Sequence, residues 1–452
     1  MKGRRPLAYT ENMRCACVVL SVLFVMPALL PQVPPAERAR QIAELLVAEK
    51  YEEVYAAFSP DAKLKLPLET LRTRVGASLK QLGKLESIGE PEMRKSGTFD
   101  VALVPVRFQF MAIHLVVTLD AEGRVRGLFL RPQEAPGAKW QRPPYSNPEA
   151  FLEREVTVGE GEWKLPGTLT LPKGTGPWPG LVLVHGSGPQ DRDETVGNHK
   201  VFKDLAEGLA SRGIAVLRYE KRTRQYAAKM AAITDLTVQQ ETVEDAVKAA
   251  ELLRSAPEVD PKQVYVLGHS LGGYLMPRIV RQAPWVAGVI VMAGNTRPLA
   301  TLIVEQAEHL ASLDPTNEAL RQQAEQLREM AGQIRAIEEG KSEQKSVLGM
   351  PAAYIRDLKG YDPAAEMRRL DVPALFLQGE RDYQVRMEDF ARWKQVLGGR
   401  RQASFKSYPR LNHLFAAGEG KSTPAEYQKP GNVDQEVIED IAGFIKERAT
   451  AR

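Results

Sequence analysis

The sequence predicts a small α+β domain followed by a larger α/β domain with a mostly parallel sheet. Three observations support this prediction. The chain has 452 residues, too many for one average domain and suitable for two or three. Two helical segments and then three strand-like segments occupy its first third. After residue 150, apolar strands alternate with amphipathic helices, the arrangement of a parallel sheet covered on both faces.

The composition is that of a globular protein, with 43% hydrophobic and 26% charged residues. The formal charge of +4 is small, and much of it comes from four basic residues among the first 35. The nearly neutral remainder offers no electrostatic basis for binding nucleic acid. Both cysteines, Cys15 and Cys17, also lie in that segment. The body of the chain can therefore form no disulfide, no cysteine-ligated metal site and no cysteine nucleophile.

The N-terminal segment 1–35 is typical of a secretory signal peptide. A basic start precedes the apolar run CACVVLSVLFVMPALL (15–30), as in such signals. With 16 residues and Pro27, the run is short for a membrane-spanning helix. We expect a secreted or periplasmic protein. An N-terminal membrane anchor is the alternative, since no small-residue cleavage site follows the run.

Residues 36–135 are predicted to form the small α+β domain. The predicted elements are helices over 36–58 and 68–82 and strands over 101–110, 112–120 and 125–131. This segment contains no cluster of catalytic residue types, and its single histidine, His114, lies alone in a strand, where a structural role is expected. The proline-rich segment 136–150 is predicted to be a linker.

Residues 151–452 are predicted to form the α/β domain. A hairpin over 152–158 and 167–172 opens it. The strands that follow are predicted over 179–186, 214–220, 263–270, 286–294, 373–379 and 403–409. The helices are predicted over 199–212, 237–255, 386–397 and 433–447.

Residues 299–358 interrupt the alternation with charged helices and no strand. Catalytic loops of parallel sheets lie at the C-terminal ends of the strands, and this insertion leaves the sheet at that end. We therefore expect a helical cap over the active site. A solvated helical hairpin without a part in catalysis is the alternative.

The motif GHSLG (268–272) indicates a serine nucleophile, Ser270. It has the form G-x-S-x-G and lies between a buried strand and a helix. A sharp turn at this place raises the serine hydroxyl above the sheet, and the glycines avoid clashes in that turn.

A serine nucleophile needs an adjacent base. In a fold with this motif the order along the chain is serine, acid, histidine, and of the six histidines only His309 and His413 follow Ser270. His309 lies in an apolar helix of the insertion. His413 lies in a loop after the last predicted strand and is the expected base.

The acid is expected after the strand PALFLQG (373–379), where GERDYQV (379–385) provides Glu380 and Asp382. Asp382 lies further onto the loop and has room to turn toward the base. Glu380 is the alternative. A buried carboxylate here would fix the tautomer of the imidazole.

Two backbone N–H groups are expected to stabilise the oxyanion. One is that of Leu271, the residue after the nucleophile. The other comes from the loop HGSGPQDRDE (185–194), whose small residues allow backbone to approach substrate. Ser187 is the expected donor, with Gly188 as the alternative.

The motifs HGSGPQDRD, LRYEKRT, GHSLGG, PALFLQGERDYQV and LNHLF together resemble a bacterial esterase family of the α/β-hydrolase superfamily, close to dienelactone hydrolases and acyl-CoA thioesterases. The resemblance covers residues 150–450 and implies the triad Ser270, Asp382 and His413. The N-terminal part resembles a domain of unknown function found ahead of such hydrolases. No chemical role follows for LRYEKRT (217–223), whose charges are expected to brace loops.

The resemblance implies a carboxylesterase acting on short- to medium-chain acyl esters. It implies a small-molecule ester as partner and no metal or organic cofactor. The alternatives are a serine peptidase, a thioesterase or acyltransferase on the same fold, and a binding protein that has lost the chemistry. The complete set of triad residues argues against the last of these.

Overall fold

The computed structural model describes residues 33–80, 82–108, 112–132 and 140–450. The predicted signal therefore lies almost entirely outside the described residues, together with both cysteines. Among the helices of the described residues, none has the length and apolar character needed to cross a membrane.

The N-terminal part packs short helices on one antiparallel sheet. The helices are α1 (Pro35–Val47), α2 (Tyr51–Ala56), α3 (Pro60–Lys65), α4 (Leu68–Thr70) and α5 (Ala77–Lys80), with a π-helical turn at Leu71–Gly76. The strands are β1 (Leu85–Ile88), β2 (Glu92–Ser96), β3 (Phe99–Phe108), β4 (Ala112–Leu119) and β5 (Val125–Pro132). Strands β1, β3, β4 and β5 follow one another across the sheet, and β2 pairs with β3.

Several details differ from the prediction, which did not include the short helix α3. The single helix expected over 36–58 is broken at Glu49, whose positive φ of 60° ends a helix. The sequence did not predict β1 or β2, because most of their residues are exposed and lack the apolar alternation that marks a half-buried strand.

The described residues 140–450 form an eight-stranded sheet with two small hairpins beside it. Its strands are β6 (Phe151–Val158), β7 (Leu165–Pro172), β8 (Trp178–Val184), β11 (Ala215–Tyr219), β12 (Val259–His269), β13 (Gly288–Met292), β16 (Ala374–Gly379) and β17 (Ala403–Tyr408). The hairpins are β9 (Thr195–Val196) with β10 (His199–Lys200), and β14 (Ser346–Val347) with β15 (Met350–Pro351). The sheet order is β17-β16-β13-β12-β8-β11-β7-β6. All neighbours from β11 to β17 pair in parallel, and β7 is antiparallel to both of its neighbours.

Within the described residues 140–450, twelve helices accompany this sheet. They are α6 (Val201–Ala210), α7 (Arg222–Gln225), α8 (Ala227–Ala231), α9 (Glu244–Ser255), α10 (Leu271–Tyr274), α11 (Met276–Gln282), α12 (Leu299–Leu313), α13 (Glu318–Glu338), α14 (Ala352–Asp357), α15 (Pro363–Arg368), α16 (Met387–Leu397) and α17 (Gln435–Thr450). A π-helical turn at Gln239–Val243 runs directly into α9.

The sheet is buried on both faces. Within β8, Val182 and Val184 belong to one apolar core, whereas Leu181 and Leu183 belong to another. This division follows from the alternation of side chains along a strand. Helices α9, α11 and α16 contribute to the first core, and α6 and α17 contribute to the second. The predicted α/β class is therefore confirmed.

The insertion 299–358 contains α12, α13 and α14 and has an apolar core of its own. The prediction that it contains no strand is wrong, since β14 and β15 form a hairpin there. Each of these strands has only two residues, too few for a periodic pattern to be visible in the sequence.

Candidate active site

Ser270 occupies the turn between β12 and α10, with φ 51° and ψ −114°. A positive φ is strained for a residue with a side chain. The neighbouring glycines permit the close approach of backbone that this turn requires. A Cβ on Gly268 would lie 2.3 Å from the carbonyl carbon of Gly272, and a Cβ on Gly272 would lie 2.4 Å from the carbonyl oxygen of Val184. The turn thus has the geometry expected of G-x-S-x-G.

His413 and Asp382 form a buried hydrogen-bonded pair. The distance from His413 Nδ1 to Asp382 Oδ2 is 2.7 Å. The other oxygen of Asp382 accepts the N–H groups of Gln384 at 2.8 Å and Val385 at 3.0 Å. An ionised carboxylate only accepts hydrogen bonds, so Nδ1 of the imidazole carries the proton. The Nε2 atom of His413 is then left as a proton acceptor, as a general base requires.

The two alternative residues lie in other surroundings. Glu380 is exposed and accepts a hydrogen bond from Ser407 Oγ at 2.8 Å. His309 Nε2 lies 2.8 Å from the carbonyl oxygen of Ser422, and its ring stacks on Tyr383 at 4.5 Å between centroids. The geometry therefore favours Asp382 and His413.

The loop that carries the base is fixed by side chains. Asn412 Oδ1 accepts the N–H groups of Leu414 at 3.0 Å and Ala416 at 3.2 Å. Arg381 Nε donates to the carbonyl oxygen of Gly420 at 2.8 Å. These bonds satisfy the backbone of an irregular segment and hold the imidazole in one position.

The predicted oxyanion donors lie beside the nucleophile. A Cβ on Gly186 would lie 3.2 Å from Ser270 Cβ, so the loop after β8 passes directly by the serine. Ser187 and Gly188 both line the cavity at this place. Leu271 is the first residue of α10, where the N–H has no acceptor within the helix.

A second buried pair, which sequence reasoning missed, supports the site. His269 Nδ1 lies 2.9 Å from Glu194 Oε2, and its Nε2 donates to the carbonyl oxygen of His413 at 2.9 Å. The other carboxylate oxygen of Glu194 accepts the N–H of Gly186 at 2.7 Å. The pair thus links the oxyanion loop, the nucleophile strand and the base loop.

Electrostatics favour the charged form of this second pair. Burial alone lowers the pKa of the His269 imidazole. The charge of Glu194 and its hydrogen bond outweigh this effect, so the pKa lies above its ordinary value. Burial raises the pKa of Glu194, and the charge of His269 brings it below the ordinary value. In the sequence, the signal for this pair was Glu194 at the end of the oxyanion loop and His269 directly before the nucleophile.

A cavity of about 650 Å³ joins these groups to the insertion. Ser270 and His413 lie in its wall. Ile303, Met350 and Tyr354 of the insertion line it as well. Residues of the insertion thus share one cavity with Ser270 and His413, which is the position expected of a cap. The part of the insertion in catalysis stays a prediction.

Comparison with known proteins shows the family of this chain. Residues 181–426 match the family model described as the alpha/beta hydrolase family. The chain belongs to this family. Residues 39–128 of the hydrolase match a second model, described as a protein of unknown function, DUF3887.

The hydrolase is 40% identical over 401 residues to Esterase EstD of Thermotoga maritima, covering 88% of this chain and 92% of that protein. It is 26% identical over 263 residues to acyl-coenzyme A thioesterase 5 of Mus musculus, covering 58% of this chain and 54% of the mouse protein. Among solved structures, Est1E from Butyrivibrio proteoclasticus matches with a TM-score of 0.42 and 16% identity, covering 66% of this chain and 99% of Est1E.

Proposed function

We propose that the hydrolase is a carboxylesterase that cleaves esters of short- to medium-chain acids through an acyl-enzyme on Ser270. One observation carries this proposal. Ser270, in its strained turn, and His413, which forms a 2.7 Å hydrogen bond with Asp382, line the same cavity. The similarity to an esterase over most of both chains supports the same conclusion.

The reaction uses these groups in two halves. Ser270 Oγ attacks the ester carbonyl carbon while His413 Nε2 takes its proton, and the N–H groups of Ser187 and Leu271 stabilise the oxyanion. The imidazolium, stabilised by Asp382, then returns the proton to the leaving alcohol oxygen. In the second half a water gives its proton to His413 and attacks the acyl-enzyme. The imidazolium then returns this proton to Ser270 Oγ as the bond from Oγ to the acyl carbon breaks and the carboxylic acid leaves.

The lining of the cavity suits an acyl chain. Leu302, Ile303, Met350 and Leu358 of the insertion, together with Leu236, present apolar side chains to it. Burial of each methylene of a substrate in such a pocket contributes about 0.8 kcal/mol. We therefore expect kcat/KM to increase with acyl length until the acyl chain fills the pocket.

The test combines a fluorophosphonate probe with a panel of nitrophenyl esters of graded acyl length, acyl thioesters and peptide amides. The probe should label the wild type and leave Ser270→Ala unlabelled. We expect Ser270→Ala to lose at least about a thousandfold in kcat while its circular dichroism spectrum stays that of the wild type. Faster turnover of thioesters or amides than of esters would contradict the proposal, as would normal ester turnover by the variant.

We also propose that the chain is exported and that residues 1 to about 35 are removed. The basic start and apolar run support this proposal. N-terminal sequencing of the protein purified from its native host should find a mature start between about residues 31 and 40. Recovery of the chain with its apolar segment intact, in the membrane fraction, would instead favour an anchor.

A further inference from the structure

Lys221 lies behind the oxyanion loop, in the segment LRYEKRT (217–223), which has no part in the mechanism above. Its side chain is 3% exposed. Lys221 Nζ donates to the carbonyl oxygen of Gly186 at 2.8 Å. Its backbone N–H donates to the carbonyl oxygen of Gln190 at 3.1 Å. A buried cation therefore contacts the backbone of the same loop that approaches Ser270.

The Gly186 carbonyl, which accepts the hydrogen bond from Lys221, belongs to the same peptide group as the Ser187 N–H. In a trans peptide the C=O and N–H groups point in opposite directions, so Lys221 and an oxyanion can bind the two ends of one group. Hydrogen bonds in series polarise one another. A cation on the Gly186 oxygen therefore makes the Ser187 N–H a stronger donor and holds its direction.

Two further charged contacts fix this arrangement. Lys221 Nζ lies 2.9 Å from Glu241 Oε1, which compensates the buried charge. The N–H of Gly186 donates to Glu194 Oε1 at 2.7 Å. The backbone polar groups of Gly186 are thus both held by charged side chains.

The same chain of contacts reaches the insertion. Tyr354 of α14 donates its hydroxyl to Glu241 Oε2 at 2.8 Å, and both residues are buried. Tyr354, Glu241 and Lys221 therefore connect the cover of the cavity with the rear of the oxyanion loop.

We infer that Lys221 is a positioning residue that orients and polarises the Ser187 N–H toward the oxyanion. This inference rests on the proposed esterase function and gives a chemical role to a segment whose charges were expected only to brace loops. It predicts that Lys221 acts on the transition state, where the oxygen carries charge, and hardly on the bound ester. Its loss should therefore lower kcat and leave KM nearly unchanged.

The experiment compares Lys221→Met and Lys221→Arg with the wild type on an oxygen ester and on the matching thionoester, in which sulfur replaces the carbonyl oxygen. Sulfur is the weaker hydrogen-bond acceptor. We expect Lys221→Met to lose at least about tenfold in kcat on the oxygen ester, since loss of a whole donor costs about 10²–10³. Its thionoester rate should fall less, so the ratio of the two rates shrinks. Lys221→Arg keeps the charge and should retain most of the wild-type ratio.

Arg222→Met is the matched control, because Arg222 is the next residue, is equally buried and pairs with Asp245 away from the cavity. If Lys221 had only a structural role, its loss would lower the oxygen-ester rate and the thionoester rate by the same factor. Any loss in a folded Arg222→Met should be of this kind and leave the rate ratio unchanged. If Lys221→Met does not fold, Lys221→Gln, which keeps a neutral N–H donor, takes its place, with a smaller loss and the same shrinking ratio expected.

The outcomes separate the two proposals. Normal wild-type ester turnover with an unchanged rate ratio in the folded Lys221 variant would overturn the role of Lys221 alone. A wild type that neither turns over esters nor reacts with the fluorophosphonate probe would overturn the esterase function and the inference with it.

Discussion

Asp382 and Glu380 follow the same strand, two residues apart, yet their surroundings are opposite. The Asp382 side chain is fully buried. Gln378 Nε2 donates to it at 3.1 Å, in addition to the donors described above. Glu380 is exposed to solvent. A carboxylate can fix a histidine tautomer only where water does not compete for it, and this condition holds for Asp382.

We predict that Asp382→Asn loses up to about ten-thousandfold in kcat, because the imidazole then adopts the wrong tautomer. Glu380→Gln is the control and should lose little, since only its surface hydrogen bond to Ser407 changes. Steady-state kinetics on a nitrophenyl ester, with thermal unfolding to verify the fold, measure both variants. A larger loss in Glu380→Gln than in Asp382→Asn would show that the acid is misassigned.

At the scale of elements, the order of the strands brings the catalytic loops together. Strand β12, which ends at the nucleophile, lies between β8 and β13. The oxyanion loop follows β8, and the insertion leaves the sheet after β13. Parallel strands end at the same edge, so both segments flank the serine. This order also places α12 against the cavity.

We predict that Ile303→Trp shifts the preferred ester to a shorter acyl chain. Ile303 lies on α12 and lines the cavity, so a larger side chain removes space that the acyl chain would fill. The measurement is kcat/KM across nitrophenyl esters of graded length. Ser312→Trp, on the exposed side of the same helix, is the control and should keep the wild-type profile. An unaltered profile in Ile303→Trp would mean that the acyl chain binds elsewhere.

At the scale of the whole molecule, the end of the predicted linker is attached to the hydrolase part. Trp140 Nε1 donates to Asp204 Oδ1 at 2.7 Å, and Arg142 Nε donates to Glu207 Oε2 at 2.6 Å. Tyr145 donates its hydroxyl to the carbonyl oxygen of Val433 at 2.7 Å. From residue 140 onward the chain is therefore fixed along α6, and the start of β6 is held in place.

Burial raises the pKa of Asp204 from the ordinary 3.8 to about 7, although Trp140, Val433 and Asn432 donate hydrogen bonds to it. A carboxyl whose folded pKa is raised stabilises the protein fully below its unfolded pKa and loses this effect as pH rises through the folded value. We predict that the stability of the wild type relative to Asp204→Asn falls between pH 4 and pH 8.

Urea unfolding at pH 4, 6 and 8 measures this difference. The variant does not titrate at this position. Its urea midpoint should therefore increase relative to that of the wild type as pH rises. Asp371→Asn is the control, since the side chain of Asp371 is 91% exposed. A constant difference between the wild type and Asp204→Asn over this range would contradict the raised pKa.

Local features of the sequence determined the architecture and the candidate chemistry. Continuous apolar runs predicted the inner strands of the parallel sheet, because a strand buried on both faces needs apolar residues at every position. The edge strand β17, with the sequence ASFKSY, was predicted without such a run. The glycines of GHSLG identified the turn at Ser270, because no side chain fits beside it. Chain order and residue type then selected His413. Strands β1 and β2 were not predicted, since exposed strands show neither an apolar run nor an apolar alternation.

Only the tertiary structure decided which distant groups meet. Glu194 and His269 are 75 residues apart, and Lys221 and Gly186 are 35 residues apart. Each pair joins segments at the ends of different strands, and no local pattern shows which strands are neighbours. The same holds for the choice of Asp382 over Glu380, which depends on burial and on donors supplied by the fold. Propensity and periodicity act between near neighbours, whereas the electrostatics of this site arise from the strand order that brings remote loops to one edge of the sheet.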